Sequence, residues 1–304
     1  MLPCSQMSRR RGYTLVPTMR TLLVILAHPD DESFGPGGTL AKYAYNGVAV
    51  HYVCGTRGES GTVDAERLNG YADVAELRTA ELMCAAKTLR LASVHFLGYR
   101  DSGMAGAADN GLTGSLHAAP LDEVAERIIS YIERLQPDAI VTHDQYGGYG
   151  HPDHIKLHQA TMRAYTLRYG IEWRLEPNGL WSAVNQDAPA PRLYFTTIPK
   201  GLVKLGVRIL PLLRQDPRKF GRNKDIDLVQ IASWDIPVTT RINTRRYAEI
   251  KQAASACHVS QQPPAQQSRI VRFLFRRNQG TEYFSRAYPP YQRGERLETG
   301  LFGD

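Results

Sequence analysis

Two stretches of the chain carry residues whose types and spacing could do chemistry. The first, Ala27-His28-Pro29-Asp30-Asp31-Glu32, sets an imidazole beside adjacent carboxylates, and the second, Gly150-His151-Pro152-Asp153-His154, sets two imidazoles around another. Such clusters offer hard and borderline donors for a divalent cation and leave one carboxylate over as a base. A lone histidine after a strand is more often structural, and His51 and His95 are read that way. Two HPD-containing turns reverse the reading. With two histidines and one carboxylate as ligands, the expected metal is zinc or a similar divalent ion such as iron(II), with positions left for water and substrate. Neighbouring residues leaving a strand point in different directions, so Asp30 and Asp31 can divide the labour. One would bind the metal; the other would take a proton from water beside it.

The elements that must position these residues follow from the hydrophobic pattern. The apolar run at residues 22–26 predicts a buried strand, and Gly35-Pro36-Gly37-Gly38 a turn opening a helix over 38–46 that stops at Gly47. Residues 48–54 read as a second strand, 55–70 as a charged, glycine-rich loop, 71–89 as an amphipathic helix and 94–97 as a third strand. A loop over 99–104 leads to a helix over 121–135 ended by Pro137, a fourth strand over 138–142, and a helix beginning at Pro152, where the missing N–H costs nothing. The alternation predicts an α/β fold: a Rossmann-like three-layer sandwich with a mostly parallel sheet and right-handed crossovers. In such sheets ligands bind beyond the carboxyl ends of the strands. The first and fourth strands are neighbours across the switch point, so His151 and His154 can meet His28 and Asp31. His158, one turn beyond His154, is carried away from the strand ends. Later in the chain, 193–198 and 236–240 read as strands and 244–257 as a helix.

A length of 304 residues with 42% hydrophobic content supports a large core. We read residues 19–304 as one domain: a core over about 20–198, a basic insertion over about 199–226 and a C-terminal strand and helix elaboration over 227–304. Residues 1–18, ahead of Met19, read as a disordered or mis-started leader. The net charge of +7 is matched by residues 200–224 alone, with eight basic residues against Asp216, so the remainder is close to neutral and nucleic acid is not an expected partner. That window is read as a solvated surface helix or lid, with a polyanion or membrane contact as the lesser alternative. Cys4, Cys54, Cys84 and Cys257 show no CxxC pair, which is read as unpaired thiols in a reducing cytoplasm.

On these residues the chain resembles the PIG-L/LmbE family of zinc-dependent N-deacetylases, which act on N-acetylglucosamine conjugates and include the deacetylases of mycothiol and bacillithiol biosynthesis. Beyond AHPDDE and HPDH, Arg78-Thr79-Ala80-Glu81 resembles the family's RxxE helix, and Tyr99-Arg100-Asp101-Ser102-Gly103-Met104 its YRDSGM loop. Gly147-Gly148-Tyr149-Gly150 is similar to a tyrosine-bearing loop, and Lys251, Ala254, His258, Ser260 and Gln261 to a KxxAxxxHxSQ segment. The likeness is strong over residues 20–160, thinner afterwards, and absent from the leader and the basic insertion. It implies His28, Asp31 and His154 as zinc ligands, Asp30 as general base, and His151 as a charged oxyanion-stabilising group oriented by Asp153. It further implies Arg78 and Asp101 as contacts to sugar hydroxyls and Tyr149 as a mobile residue near the scissile carbonyl. His258 fits either a supporting or a substrate-facing place.

The expected reaction is hydrolytic removal of an acetyl group from an N-acetylglucosamine-type small molecule. Amide cleavage of a thiol-sugar conjugate is the alternative within the fold. A non-catalytic sugar binder would not require both Asp30 and His151, and a nucleotide carrier would need a GxGxxG turn where HPDDE stands.

Overall fold

The computed structural model describes residues 19–177, 179, 181–185, 187–221, 224, 226–234, 236–262, 280–292 and 294–303, so the leader lies outside the described residues. In chain order the elements are β1 (Thr21–Leu26), α1 (Asp31–Phe34), α2 (Gly37–Tyr45), β2 (Ala49–Cys54), α3 (Val74–Leu89) and β3 (Ser93–Phe96). They continue with α4 (Leu121–Leu135), β4 (Ala139–Thr142), α5 (Gly147–Gly150), α6 (Pro152–Tyr169), β5 (Trp173–Leu175), β6 (Trp181–Ala183) and β7 (Arg192–Thr197). The last are α7 (Lys200–Ile209), α8 (Leu228–Ser233), β8 (Thr240–Asn243), α9 (Ala248–Cys257) and β9 (Thr281–Tyr288). The central sheet runs β3-β2-β1-β4-β7-β9-β8, and β5 and β6 form a separate hairpin.

The first five strands of that order are parallel, as the alternation of elements predicts, and β9 and β8 add an antiparallel edge. From Leu22 to Leu26 β1 is apolar because it is covered on both faces. Leu23 and Ile25 pack with α4 and α6 through Val124, Ile128, Leu157 and Tyr165. Leu22, Val24 and Leu26 pack with α2, α3 and α9 through Leu40, Leu82, Leu89 and Ala254. The period-two alternation of one strand thus holds both outer layers. Because the chain leaves β1 toward one face and β4 toward the other, a crevice opens beyond their carboxyl ends.

The helix ends follow local chemistry. Asp73 caps α3 by accepting the Glu76 N–H at 2.8 Å, which moves the start past the predicted residue 71. Gly170 takes the left-handed conformation that closes α6.

Three expectations need correction. The strand expected over 236–240 is observed at Thr240–Asn243, where outward Arg241 and Asn243 alternate with buried Thr240 and Ile242. β9 was not expected; its charged Glu282 and Arg286 are buried but paired, with Lys251 and with Glu295 and Glu298. Finally, Cys84 and Cys257 are not unpaired thiols. The packing of α3 on α9 brings their Cα atoms to 5.8 Å and joins them in a disulfide; Cys54 is free and buried, and Cys4 lies outside the described residues. Among the described residues no helix is long and apolar enough to cross a membrane.

Candidate active site

His28 follows β1 and His154 stands in the first turns of α6, and the crevice brings them together. His28 Nδ1 lies 3.0 Å from His154 Nε2 and 3.6 Å from Asp31 Oδ2, and His154 Nε2 lies 3.4 Å from the same oxygen. A tetrahedral zinc with bonds of about 2.0–2.1 Å spaces its ligand atoms by roughly 3.3–3.5 Å, so this triangle has the size of one face of such a site. The three residues are those singled out as ligands from the sequence. Further metal-capable groupings, Asp31 with His143 and His154, His28 with His151 and His154, and His28 with Asp101 and Asp153, overlap the same spot.

The opposite edge of His28 meets carboxylates: Nε2 is 3.3 Å from Asp153 Oδ2 and 3.5 Å from Asp101 Oδ1. A carboxylate on the far nitrogen fixes the tautomer and plane of a metal-binding imidazole and makes it more basic. The surroundings of His28 are anionic. Burial opposes a charged His28, yet Asp101, Asp153 and Asp31 outweigh it and hold its pKa well above the usual histidine range. Burial pushes His154 well below that range, leaving a neutral ring with a lone pair to offer. Burial would raise Asp31, but His154, His143 and His28 hold it well below the usual carboxylate range.

Asp30 is turned out of the triangle by its backbone. Its φ of 124° is one that non-glycine residues rarely adopt, at a cost of about 1–3 kcal/mol that the surroundings must hold in place. The buried Arg78 does so, donating to Pro29 O at 2.6 Å, Asp30 Oδ2 at 3.0 Å and Gly58 O at 3.0 Å. Gly58 has φ +72°, and a Cβ there would stand 2.1 Å from the guanidinium, so the loop after β2 can close over Arg78 only with glycine. Burial pushes the Asp30 carboxyl up to about 7 against the pull of Arg78, a value suited to a base near neutral pH.

Below this turn lies a second polar layer. Glu32 accepts the Asp30 N–H at 3.0 Å and meets His258 Nε2 at 2.7 Å, both side chains being fully buried. Glu81 accepts from the Ser260 N–H and hydroxyl, each at 2.7 Å, and Lys251 donates to Gly35 O at 2.5 Å and to Glu282 at 2.6 Å. The segment from Lys251 to Ser260 therefore braces the first motif from beneath, and His258 faces Glu32.

After β4 the chain makes a glycine-dependent loop. Asp144 accepts the Tyr146 and Gly148 N–H groups at 2.8 and 3.2 Å, and Gly147, at φ +64°, lets the loop lie against α6, where a Cβ would meet His154 Cβ at 2.9 Å. Tyr149 comes edge-on to His154, with ring centres 5.2 Å apart. His151 is 4.5 Å from His28 and 4.9 Å from His154 by ring centres.

Two details differ from the sequence reading. The Asp153 carboxylate does not orient His151; it accepts from the Ser102 N–H at 2.9 Å and the Ser102 hydroxyl and lies on His28, while the Asp153 backbone N–H donates to His151 Nδ1 at 3.2 Å. Burial and the neighbouring His28 also push His151 down to about 4, where a charged group was expected, and with Nδ1 accepting the Asp153 N–H its Nε2 is left as the donor. Arg78 and Asp101 are both buried, the former on Asp30 and the latter beside His28.

His143 is the site residue the sequence reading passed over. Its Nε2 accepts the Ala27 N–H at 3.0 Å and lies 3.6 Å from Asp31 Oδ2, and its ring stacks on His154 at 3.8 Å and 16°. The signal available was register: Ile25 pairs with Thr142, so the residues leaving β1 and β4 are side by side. His158 does face away from the triangle, with Nδ1 3.1 Å from His143 O, and burial pushes it down to about 4.

Fold and site together define a Rossmann-like α/β protein with a metal-capable His and Asp centre at the switch point. The family model described as PIG-L, GlcNAc-PI de-N-acetylase, matches residues 23–165. A relative from Geodermatophilus obscurus named 1D-myo-inositol 2-acetamido-2-deoxy-alpha-D-glucopyranoside deacetylase is 32% identical over 295 residues, covering 91% of this chain and 93% of its own. This chain belongs to the PIG-L family. Among solved structures, N,N'-diacetylchitobiose deacetylase from Pyrococcus horikoshii aligns with a TM-score of 0.57 at 20% identity over 90% of this chain and 85% of that one. The 4-carboxy-2-hydroxymuconate hydratase from Pseudomonas putida aligns at 0.53 and 20% identity over 91% of this chain and 100% of its own. Likeness at that level shows the fold alone, and a hydratase on the same fold means that the site must argue the reaction.

Proposed function

We propose that this chain is a metal-dependent deacetylase that hydrolyses the acetamide of a small N-acetylglucosamine conjugate, with an inositol glycoside of the kind named for its relatives as the first substrate to try. We take zinc as the metal, held by His28, Asp31 and His154, and residues 19–304 as one catalytic domain in the cytoplasm. The observation that carries the reading is a donor triangle of 3.0, 3.4 and 3.6 Å beside a carboxylate, Asp30, that is held elsewhere by Arg78.

His28, Asp31 and His154 would hold the cation, which would supply Lewis acidity toward the amide carbonyl and the attacking water. Asp30, with its carboxyl pushed up to about 7, takes a proton from the attacking water and returns it to the departing amine. The His151 Nε2–H faces the oxygen on which charge develops; donors so placed typically contribute roughly 10²–10³ in rate. Tyr149, on the glycine-rich loop, borders the same space.

The test is amine release from a panel of N-acetylglucosamine derivatives, with and without chelator. Chelator-sensitive release that returns with added zinc supports the reading. Full turnover in chelated, metal-free protein would remove the metal from the mechanism, and a metal-loaded protein inert toward every derivative would remove the substrate class.

A further inference from the structure

The brace beneath the catalytic turn ends at a covalent bond. Cys257 directly precedes His258 and is joined to Cys84, which lies less than two turns beyond Arg78 on α3. Arg78 holds Asp30 from one side; on the other, the Asp30 N–H is held by Glu32 and Glu32 by His258. The disulfide therefore closes a circuit running Cys84, Arg78, Asp30, Glu32, His258 and Cys257. It spans 173 residues of sequence, so no local stretch of chain can replace it.

From this circuit, and resting on Asp30 as the base, we propose that the Glu32–His258 pair is a positioning element for Asp30 and that the Cys84–Cys257 bond makes this positioning responsive to thiols. His258 Nδ1 has no hydrogen-bond partner among the described residues, so the ring is oriented by its single bond to Glu32 and by Phe34, 5.9 Å away. The ring has no second side-chain bond with which to absorb a small backbone shift at Cys257. Lys251 pins one end of α9 to Gly35 and Glu282, and Ser260 pins the chain beyond His258 to Glu81, so opening the bridge frees only the stretch around Cys257 and His258 between those two anchors.

Cys84 is exposed and Cys257 half-buried, which leaves the bond open to a dithiol. One thiolate of the dithiol attacks a sulfur of the bridge and the other displaces the mixed disulfide. Two electrons and two protons pass to Cys84 and Cys257, and the dithiol leaves as its own disulfide.

The experiment compares the oxidised protein, the protein reduced with tris(2-carboxyethyl)phosphine, and the variants Cys84→Ser, His258→Ala and His258→Gln. Amide hydrogen exchange over residues 28–34, amine release and metal content are read on each. In the reduced and Cys84→Ser forms we expect exchange over 28–34 to rise at least threefold and kcat to fall about 3–10-fold, with KM and metal content unchanged. His258→Ala should reproduce that state and no longer respond to reductant, and His258→Gln, which restores a donor to Glu32, should recover much of the loss. Equal exchange over 28–34 in oxidised and reduced protein, when two new thiols titrate, overturns the proposal, as does a reductant response that persists in Cys84→Ser. If no form releases amine, the proposed reaction fails, while the exchange measurement still decides whether the clamp exists.

Discussion

Replacing Asp153 by asparagine tests the metal centre through a residue outside the donor triangle. Asp153 is fully buried, and its Oδ2 both accepts the Ser102 N–H at 2.9 Å and faces His28 Nε2 at 3.3 Å. Asparagine keeps the shape but has one acceptor atom. An asparagine oxygen in the Oδ2 place keeps both of those contacts, and its N–H groups then meet the Ser102 hydroxyl, which can turn to accept. What is lost is the negative charge facing His28. His28 therefore becomes a less basic donor. Loss of such a supporting carboxylate typically weakens metal binding 10–100-fold, or about 1.4–2.7 kcal/mol. Asp101, 3.5 Å from the same nitrogen, keeps the loss inside that range and should make Asp101→Asn the milder change. Because each carboxylate backs up the other, the double variant should lose more than the sum of the two. Competition with a chromophoric zinc chelator gives the affinities, and thermal unfolding checks that the fold survives. Zinc affinity within twofold of the parent in a folded Asp153→Asn protein would refute the argument that this carboxylate tunes His28.

Four other outcomes are expected. His154→Ala should lose bound metal by elemental analysis, since it supplies one corner of the triangle; stoichiometric retention would remove it from the ligand set. Asp30→Ala should keep metal and melting temperature while amine release falls by orders of magnitude, and near-normal turnover would take the base role from Asp30. Arg78→Met removes the positive charge that pulls the Asp30 carboxyl down. A base works deprotonated, so the acid limb of kcat/KM should move to higher pH, and an unmoved limb would show that Arg78 does not tune it. Trp234→Ala should raise KM more than it lowers kcat, because Trp234, at the end of α8, stacks on Tyr146 at 4.8 Å and 5° and so ties α8, which packs on α7 of the basic insertion, to the loop bearing Tyr149. A change confined to kcat would place that loop in the chemical step instead.

The sequence made the parallel half of the sheet legible because its signals are local. A buried parallel strand is an apolar run, a helix a 3.6-residue stripe, and a strand-to-helix turn carrying HPD is a visible interruption. Those signals were enough to place His28, Asp31 and His154 at one crevice. What stayed hidden is pairwise. Asp153 reaches His28, Glu32 reaches His258, and Cys84 reaches Cys257 across 125, 226 and 173 residues. Each partner alone looks like a surface charge or a spare thiol. β9 escaped for the same reason: Glu282 and Arg286 are tolerable in a buried strand only because Lys251, Glu295 and Glu298 neutralise them.

The two kinds of residue also differ in what selection of side chain can do for them. A ligand must come from the few donor types, histidine, aspartate, glutamate or cysteine, whatever surrounds it, so its type makes it a candidate. His143 shows the opposite case. It offers its acceptor nitrogen to the Ala27 N–H and its ring face to His154, and these contacts exist only because β1 and β4 pair with Ile25 opposite Thr142. Had that register been deduced from the two apolar runs, the first residues beyond them would have been read as neighbours, and His143 would have joined the site on geometry before any coordinates. The recoverable part of such a site therefore extends as far as strand register can be inferred, and the supporting carboxylates and the disulfide brace, which depend on how whole layers pack, lie beyond it.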